Sequence, residues 1–173
     1  KRTFRSINVP KFDKSIDDRC KKNSWFKLKK KPDILILEGW CVGARAEGSR
    51  SLNRPINVLE KNADKKKIWR SYVNNQLKSK YSKLFDQLDS LLYLKAKNFK
   101  LLKRWRLKQE KKLKMKSGTK KNSKIMNERE VETFMMTYQR ITQNMFKNAP
   151  KYSSAVIDLN ENHQIKKVKF KHA

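Results

Sequence analysis

Residues Pro32 to Ala46 read Pro-Asp-Ile-Leu-Ile-Leu-Glu-Gly-Trp-Cys-Val-Gly-Ala-Arg-Ala, and the sheet expected of this chain turns on them. Ile34, Leu35, Ile36 and Leu37 are consecutive apolar residues, the pattern of a short strand buried on both faces of a parallel sheet. The run stops at Glu38 and turns at Gly39. In an open parallel sheet, ligands collect beyond the carboxyl ends of the strands, so an acid at that point is placed to serve a site. An ordinary core strand that ends in a Glu-Gly turn gives the same letters, and on these residues alone both readings stay open.

Downstream, Gly43 and Gly48 have the spacing of a phosphate-cradling loop. Ser49-Arg50 stand where Lys-Ser or Lys-Thr would be needed, and Pro55 interrupts the helix that should follow. With Gly39 and Gly118 as the only other glycines, no stretch of these residues qualifies as a P-loop. From Asn57 the pattern turns helical. Ile68, Tyr72, Val73, Leu77, Tyr81, Leu84, Phe85 and Leu88 predict an apolar stripe, with Trp69 and Tyr72 read as core aromatics. Leu91 to Leu94 predicts a second buried strand, followed by Ala96-Lys97.

Asn98 can cap a helix bearing Phe99, Leu102, Trp105 and Gln109, with Arg104 and Arg106 beside them. That helix is either an exposed basic surface or an arginine-bearing lid over a phosphoryl group. Lys111 to Lys124 reads as a lysine-rich mobile loop. Asn127, with Glu128 and Glu130 behind it, predicts the capped start of a long helix. Its stripe is Val131, Phe134, Met135, Tyr138, Ile141, Met145 and Phe146, and Pro150 is expected to end it. Arg140 falls off that stripe, as a surface residue or as an anion-binding group. Ala155 to Leu159 predicts a last buried strand, and Ile165 to Phe170 a lysine-blunted edge strand or tail.

Upstream, residues 3–9 read as a short strand or extended lead-in. Asp13, Lys14, Asp17, Asp18 and Arg19 then crowd opposite charges together, as a solvated loop or as a polar loop lining an anionic substrate. Strands alternating with helices indicate an α/β domain built on a parallel sheet.

A chain of 173 residues is long enough for one domain with a substantial core. A net charge of +29 would ordinarily point to a polyanionic partner. Here the surplus is mostly lysine scattered along the whole chain, as on solvated helix faces, and no nucleic-acid module is recognisable. Nucleic acid is therefore not the expected partner, although a non-catalytic or nucleic-acid-binding basic protein stands as the alternative. Cys20 and Cys41 have no paired spacing, and Cys41 reads as a small buried hydrophobe. His163 and His172 have no metal-ligand spacing. A reduced, cytoplasmic protein is expected, with no bilayer-spanning stretch. The oligomeric state is not legible. The chain opens at Lys1 without a methionine, which leaves its start open.

Glu38-Gly-Trp-Cys-Val-Gly-Ala-Arg45 resembles the corresponding segment of the D-glycerate 3-kinase family and its bacterial kinase-like relatives, P-loop kinases akin to phosphoribulokinase and uridine kinase. Other segments match in the same order: Phe12-Asp13-Lys14 with Asp17-Asp18-Arg19, Pro55-Ile56-Asn57, Leu59-Glu60, Trp69-Arg70-Ser71-Tyr72-Val73-Asn74, Trp105-Arg106-Leu107-Lys108-Gln109-Glu110 and Tyr138-Gln139-Arg140-Ile141-Thr142. The resemblance implies a three-layer P-loop kinase fold, with the P-loop strand and a second acidic strand lying ahead of Lys1. It implies ATP and Mg2+ as cofactors and a small hydroxy acid such as D-glycerate as acceptor. Glu38 would serve magnesium through water, and Arg106 the transferring phosphoryl group, with Gln109 and Glu110 organising the lid. Asp13, Lys14, Asp18, Arg19 and Arg140 would hold the acceptor. One partial domain is expected: residues 1–31 at the acceptor, 32–97 around the central strand, 98–126 as lid helix and loop, and 127–173 as the C-terminal helix and strands. Without the P-loop, the chain alone is expected to be inactive, with a gap beside the Glu38 strand and exposed apolar surface.

Overall fold

A computed structural model describes residues 4–13, 18–117 and 125–171. Two antiparallel ribbons come first. β1 (Ile7–Val9) pairs with β4 (Phe26–Leu28), and β2 (Phe12–Asp13) with β3 (Asp18–Arg19). The lead-in expected over residues 3–9 is thus a strand at its C-terminal end.

The main sheet has three strands in the order β5-β6-β7. β5 (Leu92–Lys95) runs parallel to β6 (Ala155–Leu159), with Leu92 opposite Ala155. β7 (Ile165–Phe170) returns antiparallel on the far side of β6, with Ala155 opposite Phe170. Successive strand residues point to opposite faces. Tyr93 therefore looks one way, onto the cluster of Ala44, Leu77, Met145 and Ala149. Leu92, Leu94, Ile157, Val168 and Phe170 look the other way.

That second face is open. Leu92 and Leu94 are 62% and 59% exposed, so β5 is half covered rather than buried as expected. A leucine left in water forgoes roughly 1.5–3 kcal/mol of burial. The run Ile34 to Leu37 is corrected outright: it forms no strand, and Ile34, Leu35 and Ile36 are 80%, 84% and 84% exposed. A strand needs a neighbour for its peptide N–H and C=O groups, and among the described residues none lies beside this one.

The helices follow sequence logic in part. α1 (Val58–Ala63) is capped by the Asn57 side chain, which accepts from Glu60 N at 2.9 Å. α2 (Ile68–Gln76) passes through one π-helical turn, Leu77–Tyr81, into α3 (Ser82–Phe85). Of the stripe expected here, Leu77 is buried in the core and Val73, Phe85 and Leu88 are half-buried. Ile68, Trp69, Tyr72, Tyr81 and Leu84 are exposed, while Arg70, Asn74 and Leu77 are buried. A buried arginine needs acceptors, and Asp64 supplies them: Arg70 Nη1 meets Asp64 Oδ2 at 3.0 Å, and Arg70 Nε donates to Leu52 O at 2.8 Å.

α4 (Phe99–Ser117) begins at Asn98, whose side chain accepts from Leu101 N at 2.9 Å. Lys111 to Ser117 continue this helix, where a loop was expected, because lysine is a good helix former; residues 118–124 lie outside the described ones. α5 (Glu128–Tyr152) opens on a capping box between Asn127 and Glu130 and buries Val131, Met135, Met145 and Ala149. Pro150 sits in its last turn rather than ending it. α4 packs on α5, tied at the surface by a Lys103–Glu132 ion pair.

Candidate functional site

Beyond the apolar run, the chain passes Glu38 and turns through residues 40–43, closed by Ala44 N donating to Cys41 O at 3.0 Å. Gly43 has φ +78°, and a Cβ there would lie 2.7 Å from a Leu91 methyl, so both backbone and space require glycine. Cys41 packs against the core, and burial pushes its thiol up to about 11. It is half-buried against the core, where a small buried hydrophobe was expected.

This turn delivers Trp40 onto α5. Its ring stacks on Tyr138, centroids 4.3 Å apart, and tilts against Phe134 at 6.4 Å. Opposite stands α4. Trp105 stacks on His163 at 4.1 Å and donates from Nε1 to Glu161 O at 2.9 Å. Between the two aromatic pairs lies a cleft of about 480 Å³ lined by Trp40, Trp105, Arg106, Lys108, Gln109, Lys112 and His163, with Leu102 and Met135 at its base. The lining holds three cationic side chains and no carboxylate, which suits an anion carried on a planar group.

Arg106 is held in place. Its Nη2 pairs with Glu110 Oε1 at 2.5 Å, its Nη1 donates to Gln109 Oε1 at 2.7 Å, and its guanidinium lies 5.2 Å from the Phe134 ring centre. Glu110 is buried, and its other oxygen accepts from Met126 N at 3.0 Å. Arg106 Nε is buried with no hydrogen-bond partner, an unmet donor beside the cleft. The three residues singled out on α4 thus form one unit.

The remaining site residues lie elsewhere. Glu38 is exposed, with no partner among the described residues. Asp13, Asp18 and Arg19 sit on the β2–β3 ribbon, where Arg19 N donates to Asp18 Oδ1 at 2.6 Å, and none of them lines the cleft. Lys14 and Asp17 lie outside the described residues. Arg140 is neither a surface residue nor an open anion site. It is buried, and every guanidinium nitrogen is engaged: Nε with Glu60 Oε1 at 2.7 Å, Nη2 with Glu60 Oε2 at 2.6 Å and Arg54 O at 2.8 Å, Nη1 with Ser51 O at 3.2 Å and Glu47 Oε2 at 3.4 Å. Asn74 completes this network by bonding both Glu47 N and Glu47 O, at 2.7 and 3.1 Å.

Sequence reasoning missed Trp40, Lys108, Lys112 and His163. The interleaving of Trp, Arg and Lys along α4 was visible, but the partners across the cleft are far away in sequence. Magnesium keeps several waters and takes one or two carboxylates plus substrate phosphates. Among the described residues, no group of three His, Cys, Asp or Glu side chains gathers to hold a metal. A lone Glu38 fits an ion that arrives with a nucleotide.

No protein-family model matches the chain. Over 138 residues it is 32% identical to the uncharacterized kinase mug58 of Schizosaccharomyces pombe, covering 76% of this chain and 47% of that protein. Among solved structures, it superposes on a D-glycerate 3-kinase from Cryptococcus neoformans var. grubii with a TM-score of 0.70 at 22% identity, over 96% of this chain and 60% of that one. The chain shares the fold of these kinase structures and is related in sequence to a kinase. The YGR205w protein gives a TM-score of 0.66 at 25% identity, over 95% of this chain and 57% of that one. The chain spans about half the length of the curated relative it matches. Its mixed α/β architecture, with a parallel strand pair, is the one these neighbours share over nearly all its described length. Among the described residues, no helix is long and apolar enough to cross a membrane.

Proposed function

We propose that these residues are the C-terminal portion of an ATP-dependent kinase that phosphorylates a hydroxyl of a small hydroxy acid, with D-glycerate the first acceptor to test. The observation that carries this reading is the Trp40–Arg106 cleft, where the arginine of the lid helix shares a cationic lining with the residue two positions after Glu38. Phosphoryl transfer needs positioning and neutralised charge more than covalent help. Arg106 supplies that charge, held in register by Gln109 and Glu110. Lys108 and Lys112 extend the positive lining for a polyphosphate.

Glu38 would hold magnesium, and the ion would supply charge neutralisation for the phosphates. Asp13, Lys14, Asp18 and Arg19 form the acceptor loop. Arg140 acts at one remove, fixing Glu47 and with it the chain that leads back to Trp40. The open sheet face and the unpaired Ile34–Leu37 run support a partial domain. In this proposal, one further strand, carrying the P-loop, sits centrally in the sheet.

The experiment is phosphate transfer from γ-labelled ATP to a panel of small hydroxy acids, using residues 1–173 and the full gene product. The isolated chain is expected to show no ordinary turnover, and the full product to label glycerate or a close analogue. Ordinary ATP turnover by residues 1–173 alone would overturn the partial-domain reading.

A further inference from the structure

On the other side of α5 from the lid cleft, a cavity of about 270 Å³ opens between α1, α2 and α5. At 100° per residue, Met135, the residue of α5 that lines the lid cleft, points opposite to the mean direction of Met136, Thr137, Arg140, Ile141 and Asn144. The second group lines this cavity, so the two sites do not merge. We infer that it is a second ligand site, for a small uncharged alcohol or phenol with an apolar body.

The walls set the apolar part. Leu59, Val73, Leu77, Met136 and Ile141 face the space, with Trp69 at its edge. A dry apolar cavity of about 150 Å³ already accepts benzene, so this one has room for a substituted ring. Charge sets the uncharged part. The lining carries Arg45, Arg70 and Arg140 against Glu47, Glu60 and Asp64, a balance of three and three. Arg70 is spent on Asp64, Arg140 on Glu60 and Glu47, and Arg45 lies over the Tyr152 ring at 4.0 Å. An ionised ligand would lose its hydration and find the buried Arg70 and Arg140 already paired.

Two polar groups set the hydroxyl. Thr137 spends its proton on Phe134 O at 2.6 Å, so its oxygen is left to accept. Asn144 donates one amide hydrogen to Arg45 O at 2.8 Å and accepts from Asn148 at 2.6 Å, which leaves its second amide hydrogen to donate. A ligand hydroxyl can give to the first or, two turns along α5, receive from the second. Nothing in this inference depends on the phosphotransfer reading.

The probe is 4-methylphenol, titrated into the protein with Trp69 emission and one-dimensional NMR line broadening as readouts. Saturable binding is expected, with benzoate and benzylammonium at least tenfold weaker. Val73→Phe and Met136→Trp each fill the cavity and should weaken binding at least tenfold while the far-ultraviolet circular dichroism stays that of the parent; two variants guard against one failing to fold. Absence of saturation in the parent protein overturns the inference. So does equal binding by a folded filled variant, or equal affinity for a charged analogue.

Discussion

Arg140 and Glu60 meet through two parallel bonds, Nε to Oε1 at 2.7 Å and Nη2 to Oε2 at 2.6 Å, across eighty residues of sequence. Both side chains are buried, so each is the other's substitute for water. Breaking such a pair from one side strands the survivor, at a cost of roughly 3–5 kcal/mol. Arg140→Met and Glu60→Leu should each destabilise the fold by about that much in urea titrations, and the double variant by less than the sum of the two. Additive losses would mean that the pair is not coupled.

The same network sets an acid limit on stability. Burial pushes the Glu60 carboxyl up, but the Arg140 bonds and charge and the Ile56 N–H more than offset it, so the net shift is downward. Asp64 is lowered in the same way, by the Trp69 and Arg70 N–H groups and the Arg70 guanidinium acting against burial. A carboxylate whose folded pKa is depressed contributes stability above its unfolded pKa and loses it as pH falls through the folded one. Stability should therefore decline below the ordinary glutamate value of 4.5, and less steeply in Glu60→Gln. Chemical denaturation from pH 6 to 3 reads this directly.

The start of α5 offers a smaller, local test. The Asn127 side chain accepts from Glu130 N at 2.9 Å, and Glu130 reaches back to Asn127 N at 2.7 Å. Asn127→Ala should cost about 1 kcal/mol. Amide exchange should speed up in the first turn of α5 and not at Ala155 to Leu159.

How much of this was legible in the sequence follows the range of the forces involved. The Asn127 and Asn98 caps and the strands over 155–159 and 165–170 could be read because each depends on residues near one another in the chain. Arg140 could not. A buried arginine looks like a surface one until its acceptors at 47, 51, 54 and 60 come into view. The same holds for α2, where Arg70 and Asn74 take the inward positions and leave Ile68 and Tyr72 in water. The Ile34–Leu37 run was read correctly as apolar and wrongly as a formed strand, since composition says what a segment would bury and not whether a neighbour stands beside it. α4 was legible as a basic helix with Arg106, Gln109 and Glu110 together. The aromatic partners that turn it into a cleft, Trp40 and His163, lie too far along the chain for spacing to reveal.

If the open sheet face belongs to a larger domain, the chain alone should be sticky. Leu92, Leu94, Ile165, Val168 and Phe170 together make a patch of the kind that monomers rarely expose. Residues 1–173 should bind an apolar dye and associate with rising concentration. Leu94→Lys should reduce both effects, and the full gene product should show neither.

The most direct test of the kinase reading is the rate of phosphate transfer from ATP to small hydroxy acids by the full gene product and by its Arg106→Ala variant. The account predicts transfer to glycerate or a close analogue, with kcat reduced on the order of 10²–10³-fold when Arg106 is removed, the usual cost of losing one charge-stabilising donor. A folded full product that transfers phosphate to no hydroxy acid, or an Arg106→Ala variant as fast as its parent, would contradict it.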